Sequence, residues 1–187
     1  MNKFRVVIRA FTLRRDVGIA IVLARVLQAK DCEVLVASSR NFQDILTNWR
    51  PHAVVINTNS QIDVVKRCAP EAALICLHGE GAQDKDTSYV LDLSRNPERY
   101  EQLDRVLVWG RRMLPWFEEL LPKQQHEGKV FVCGNPRLDL IKYNPDIQDV
   151  STRTGVGFTG RFHQLNYFDG RPTIFALMKE ENLLPVI

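Results

Sequence analysis

Six short apolar runs set the limits on how this chain can fold. They are FRVVIRAF (Phe4 to Phe11), CEVLVA (Cys32 to Ala37), AVVIN (Ala53 to Asn57), AALICL (Ala72 to Leu77), RVLVW (Arg105 to Trp109) and KVFVC (Lys129 to Cys133). Each is too short for a buried helix and rich in the β-branched residues that suit a pleated surface. A strand with one wet face alternates polar and apolar side chains, whereas runs this close to continuously apolar belong to a parallel sheet covered on both sides. The segments between them supply the covering helices. Val17, Ala20, Ile21, Ala24 and Leu27 recur at helical spacing; Phe42 to Trp49 is a short amphipathic helix, and Ile62 to Cys68 is a helix that must stop before Pro70. Asn96-Pro97-Glu98 is an N-cap, a proline at the first helical position and an acid in the first turn, predicting a helix through Leu103. Arg111 to Leu121 returns as a helix in which Pro115 is confined to the first turn or kinks it, because deeper inside it forfeits a backbone hydrogen bond.

Strand and helix alternating in this way define an α/β fold, a Rossmann-like parallel sheet with helices on both faces, over residues 1–143. A polar linker is expected over 144–154, where Tyr143-Asn144-Pro145-Asp146 leads into Gln148 to Thr154. Residues 155–187 hold one more strand pattern, GVGFTGRF, and one more helix, Thr173 to Asn182. One strand and one helix do not close a core, so this tail reads as the incomplete start of a second domain.

At 187 residues, 45% hydrophobic and 25% charged, the composition is that of a globular chain. The net charge of +3 is too small for a nucleic-acid or bulk membrane surface. No run nears the roughly 20 apolar residues that span a bilayer, and the start MNKFRVVIRAF lacks a signal-peptide pattern, so a cytosolic location is expected. Cys32, Cys68, Cys76 and Cys133 have no metal-site spacing and read as reduced core residues. Zinc spacing, a P-loop and the Ser-His-Asp order are likewise missing from the sequence, and no metal or cofactor is expected.

Ligands of open parallel sheets bind beyond the carboxyl ends of the strands, which directs attention to four strand-to-helix loops. In the first, Asp16 is a candidate N-cap, and Arg14 and Arg15 offer guanidinium groups to a phosphate or carboxylate, or are solvated loop charge. The second, His78-Gly79-Glu80-Gly81, pairs two proton-exchanging side chains with two turn-forming glycines inside a long polar segment. Here Glu80 and His78 are candidate catalytic groups, Glu80 as a general base toward a hydroxyl; the alternative is a glycine turn with incidental polar residues. In the third, Gly110 permits a turn and Arg111 and Arg112 open a helix against its dipole, which suggests a nearby anion or simply exposed side chains. In the fourth, VCGNPRLD, Gly134 is the hinge, Asn135 the N-cap and Pro136 the first helical residue, so free backbone N–H groups face outward beside Arg137. Arg137 adds charge to a ligand site there, or pairs with Asp139 in a purely structural turn.

With these residues in view, the chain resembles the amino-terminal half of a GT-B glycosyltransferase of the bacterial surface-carbohydrate biosynthesis type. The features that carry the resemblance are Arg14-Arg15-Asp16, His78-Gly79-Glu80-Gly81, Val108-Trp109-Gly110 and, most specifically, Gly134-Asn135-Pro136-Arg137-Leu138-Asp139. A similar glycine, proline, arginine and aspartate pattern occurs in the glycerophosphate-polymerising transferases of teichoic-acid synthesis. The resemblance implies two Rossmann-like domains with the active site between them, the first binding acceptor and the second an activated donor. It makes Glu80 the base that removes the acceptor proton, with Arg15 and Asp16 positioning the acceptor and Gly134 to Arg137 lining the crevice. It implies a nucleotide-sugar donor as co-substrate without a metal, a carbohydrate or lipid-linked acceptor, and at most peripheral contact with the inner membrane. The donor-side domain of that family would follow Ile187, so the resemblance implies either that the sequence is a fragment or that a donor-domain partner chain supplies the other half; the apolar surface of the incomplete tail would favour a homodimer. Two alternatives remain open at this point: a CDP-polyol phosphotransferase of the teichoic-acid type, and a non-catalytic binding or assembly module.

Overall fold

The computed structural model describes residues 3–12, 16–77, 97–120 and 127–136. Backbone packing divides the chain into two units, Met1–Gln148 and Asp149–Ile187, and every described element belongs to the first. The expected linker over 144–154 and the expected partial domain over 155–187 lie outside the described residues. The elements run β1 (Phe4–Ala10), α1 (Gly18–Gln28), β2 (Cys32–Ser38), α2 (Phe42–Trp49), β3 (Ala53–Ile56), α3 (Ile62–Cys68), β4 (Ala73–Leu77), α4 (Pro97–Glu101), β5 (Arg105–Val108), α5 (Leu114–Leu120) and β6 (Val130–Val132).

All strand pairs are parallel and form one six-stranded sheet in the order β2-β1-β3-β4-β5-β6. This is a Rossmann-like α/β sheet whose chain steps outward once, from β1 to β2, and then crosses back over β1 to β3 and continues in one direction. Parallel crossovers are right-handed, so that single reversal places α1 on one face and the later helices on the other. The two cores follow this division. Ala20 and Ala24 of α1 pack with Val6, Ile8, Ala10, Ala53 and Val55, their small side chains letting the helix lie close to the sheet. On the opposite face Val7, Val54, Leu74, Val106 and Val108 meet Phe42 and Leu46 of α2, Ile62 and Val65 of α3, Tyr100 of α4 and Phe117 of α5. Tyr100 and Phe117 touch edge to face, with ring centroids 6.2 Å apart.

Local chemistry explains where the elements end. The run after β5 is not one helix: a 3₁₀ turn, Arg111–Met113, precedes α5. Pro115 has no N–H to donate to the carbonyl of Arg111, and the tighter bond from Met113 N to Gly110 O, 3.1 Å, forms instead. Two side chains lock neighbouring connections to the sheet. The Asp104 carboxylate accepts from Leu74 N at 2.7 Å while Asp104 N donates to Leu74 O at 2.8 Å. The Lys129 ammonium donates to the carbonyls of Tyr100 and Glu101, 3.2 and 3.0 Å, satisfying the carbonyl end of α4 from the start of β6. Burial lowers the Lys129 pKa, offset in part by Asp104 and Glu101.

Of the cysteines, Cys76 is fully buried, Cys32 and Cys68 are half-buried, and all are free thiols. Cys133 departs from the expected core placement: it is exposed, because β6 is an edge strand whose Phe131 and Val132 are also 45% and 42% exposed.

Candidate functional site

Because every strand is parallel, every described strand-to-helix connection leaves the same edge of the sheet, and the reversal of strand order lies between β1 and β3. Connections diverge to opposite faces there, and in open parallel sheets such a reversal is where the ligand crevice lies. The charged side chain at that place is Arg9, the penultimate residue of β1, which is only 6% exposed. Its guanidinium donates to Asn57 Oδ1 beyond β3 and to Ser39 Oγ beyond β2, both at 3.2 Å, so one cation ties together the ends of three strands. It also lies 5.3 Å from the centre of the Phe11 ring and 5.6 Å from that of Phe42, the first residue of α2.

The electrostatics of this placement are only partly balanced among the described residues. Burial pulls the Arg9 pKa down, and the Asp16 carboxylate raises it part of the way back; the side chain nonetheless stays a cation, as arginine does. Both acceptors, Asn57 Oδ1 and Ser39 Oγ, are neutral groups, and Arg9 Nε is buried with no hydrogen-bond partner among the described residues. Close by in the chain, Asn59 repeats the pattern. Its Oδ1 accepts from Thr58 Oγ1 at 3.4 Å, but its Nδ2 is buried without an acceptor among the described residues. The amino end of α2 has no side-chain cap either: Asn41 Oδ1 accepts from Ser38 Oγ at 2.9 Å and makes no capping bond to the helix. A cation near a helix amino terminus opposes the helix dipole, and an anion there relieves both. The carboxyl edge between β1 and β3 therefore presents surplus donors and asks for acceptor oxygens.

Asp16 shapes the rim of this crevice. It is 7% exposed and does not cap α1, whose N-cap position is Val17 with no side-chain hydrogen bond. Instead its Oδ2 reaches backward to accept from Thr12 N at 2.7 Å, Phe11 N at 3.1 Å and Thr12 Oγ1 at 3.3 Å. The expected N-cap is thus a loop staple: the turn at 16–17 is wider than an α-helical one, which directs the carboxylate back over β1.

The other site residues read from the sequence divide by position. Gly134 follows β6 at φ +81°, a left-handed conformation that favours glycine, and helical backbone begins at Pro136, so Asn135 occupies the expected N-cap position. Gly110, by contrast, is extended at φ −154°, a conformation open to any residue, and no glycine is required there. Strand β6 lies four places from β1, about 19 Å at the usual roughly 4.8 Å between neighbouring strands. Asp16 and Asn135 therefore belong to one edge but not to one small pocket. Strand β4 ends at Leu77 between them. His78 and Glu80 next along the chain, together with Arg15 and Arg137, lie outside the described residues.

Sequence reasoning missed Arg9, Ser39, Asn57 and Asn59. The available signals were an arginine late in an apolar strand and the polar Asn57-Thr58-Asn59-Ser60 directly after another. Among the described residues no group of three or more His, Cys, Asp or Glu side chains is placed to hold a metal. No helix among them is long and apolar enough to cross a membrane. Comparison of the chain with protein-family models, curated proteins and solved structures finds no match in any of the three.

Proposed function

We propose that this chain is the acceptor-side half of a nucleotide-sugar-dependent transferase of the GT-B type, acting in the synthesis of a surface polysaccharide. The observation that carries the reading is the pair of buried donors without acceptors among the described residues, Arg9 Nε near the end of β1 and Asn59 Nδ2 in the 3₁₀ turn that follows β3, on either side of the reversal of strand order. Surplus donors beside a buried cation suit a hydroxyl-rich ligand bearing negative charge, and a phosphorylated or lipid-phosphate-linked carbohydrate has both. In this reading Glu80 takes the proton from the acceptor hydroxyl, His78 assists it, and Arg15 and Asp16 keep the acceptor over β1. The span of about 19 Å from β1 to β6, which Gly134 and Asn135 follow, matches an extended acceptor better than a single sugar ring. The donor is bound by a second domain or a partner chain.

The test is transfer of label from a radioactive nucleotide sugar into a phosphorylated acceptor, with the donor-side domain supplied. Glu80→Gln is expected to lower kcat by a factor of about 100 or more with little change in acceptor affinity, as for loss of a general base. Equal loss of both rules out the base role. Label entering polymer from a CDP-polyol and not from any nucleotide sugar replaces the glycosyl reading with phosphotransfer.

A further inference from the structure

At the opposite edge of the sheet, where the strands begin, the ends of α2 and α3 and the starts of β3 and β4 enclose a cavity of about 620 Å³, within the range of small-molecule sites. Its floor is apolar and largely buried, formed by Leu46, Pro51, Ala69 and Ala72. Its charged lining is Arg5, Arg50 and Glu71, which leaves an excess of one positive charge, and His52 stands beside them.

The obvious structural role for arginines at this end is to satisfy the last carbonyls of α2 and α3, where a cation suits the dipole. Neither arginine does so. Among the described residues the Arg50 guanidinium makes no hydrogen bond or ion pair, and that of Arg5 makes only a ring contact, 5.7 Å from the centre of Trp49. Arg50 also holds a left-handed backbone, φ +48°, that a non-glycine residue adopts at a cost of about 1 kcal/mol. A glycine serves this helix end better, so the guanidinium is what the position gains. His52 is held in place: its Nδ1 accepts from Arg5 N at 2.9 Å and its ring stacks on Phe4 at 5.0 Å. With Nδ1 accepting, a neutral ring carries its proton on Nε2, a further donor.

We infer that this cavity is a second ligand site, which takes a small organic anion whose phosphate or carboxylate head pairs with Arg50 and Arg5 and whose apolar body covers the Leu46 and Ala69 floor. The site lies at the amino edge of the sheet and is independent of the carboxyl-edge reading. A ligand here bridges the ends of α2 and α3, the two helices packed beneath the β1–β3 crevice, and thereby steadies them.

The test is titration of the full chain with phenyl phosphate, benzoate, inorganic phosphate and benzyl alcohol, followed by amide chemical shifts. Phenyl phosphate or benzoate is expected to saturate, shifting Arg50, His52 and Glu71; inorganic phosphate is expected to bind more weakly and benzyl alcohol not at all. Which of the two anions binds more tightly identifies the head group. Arg50→Gly removes the guanidinium while relieving the left-handed backbone, so it folds at least as well as the parent; affinity is expected to fall about tenfold or more. Arg50→Lys is expected to recover part of it. No saturable binding of either aromatic anion, equal affinity in Arg50→Gly, or shifts confined to Ser39 and Asn57 at the other edge each overturns the inference.

Discussion

Removing the Asp16 carboxylate tests whether the β1 loop is stapled as described. In Asp16→Ala the amides of Thr12 and Phe11 lose a charged acceptor. Hydrogen bonds to charged groups contribute about 1.5–3 kcal/mol each when the donor is otherwise left dry. The short Thr12 bond counts in full. Phe11 is 58% exposed, so water replaces much of its loss, and the 3.3 Å contact from the Thr12 hydroxyl adds little. The sum is about 3 kcal/mol, or about 6–12 °C in Tm for a chain of this size. Arg9 loses its compensating charge as well, which acts in the same direction. Asp16→Asn keeps an acceptor without the charge and is expected to cost about half as much. Urea unfolding followed by circular dichroism measures both, with the slope unchanged if only the folded loop is affected. A double-mutant cycle with Arg9→Met is expected to give a coupling of at least about 0.5 kcal/mol. If Asp16→Ala lies within about 0.5 kcal/mol of the parent, the staple is incidental and the reasoning fails.

Two further predictions address backbone and burial. Gly134→Ala is expected to cost about 1 kcal/mol, because φ +81° is strained for alanine even though the space around it is open, whereas Gly110→Ala, extended and equally open, is expected to be neutral or stabilising by about 0.5 kcal/mol. Equal effects in thermal melts would show that the turn after β6 does not depend on its glycine. Burial pushes the Cys76 thiol up to about 12, above its unfolded value of about 8.5. The folded state then holds this proton while the unfolded state releases it, so stability falls as pH rises from about 8.5 toward 12. Cys76→Ala should flatten that alkaline slope in urea titrations at successive pH values, and an unchanged slope assigns it to other groups.

The sheet was legible in the sequence because each strand was apolar on both faces and bounded by a turn or cap. The ranges of α2 and α3 were read without error, since Arg50 and Pro70 follow them and both helices bury a clear apolar stripe. The strand order was not legible: apolar runs say that strands are buried, not which neighbour each has, and the reversal at β1 that positions Arg9 depends on that order. For the same reason the loops were found and their spacing was not, so Asp16 and Asn135 looked like parts of one pocket. Asp16 misled because an aspartate before a helix is the usual N-cap, and the backward bonds to Phe11 and Thr12 leave no mark in local sequence. Arg9 was passed over because nothing in the β-branched run around it marks an arginine as buried until β2 and β3 are placed on either side of it.

The proposed acceptor site between β1 and β3 requires that the buried donors there bind ligand oxygens. Titration of the isotope-labelled chain with α-D-glucose 1-phosphate, reading backbone amides and the Arg9 Nε–H resonance, addresses it most directly. A saturable shift of Arg9 Nε–H and of Ser39, Asn57 and Asn59, with the latter three abolished in Arg9→Met, is expected. Shifts that never saturate, that appear only at the amino edge, or that persist unchanged in Arg9→Met contradict it.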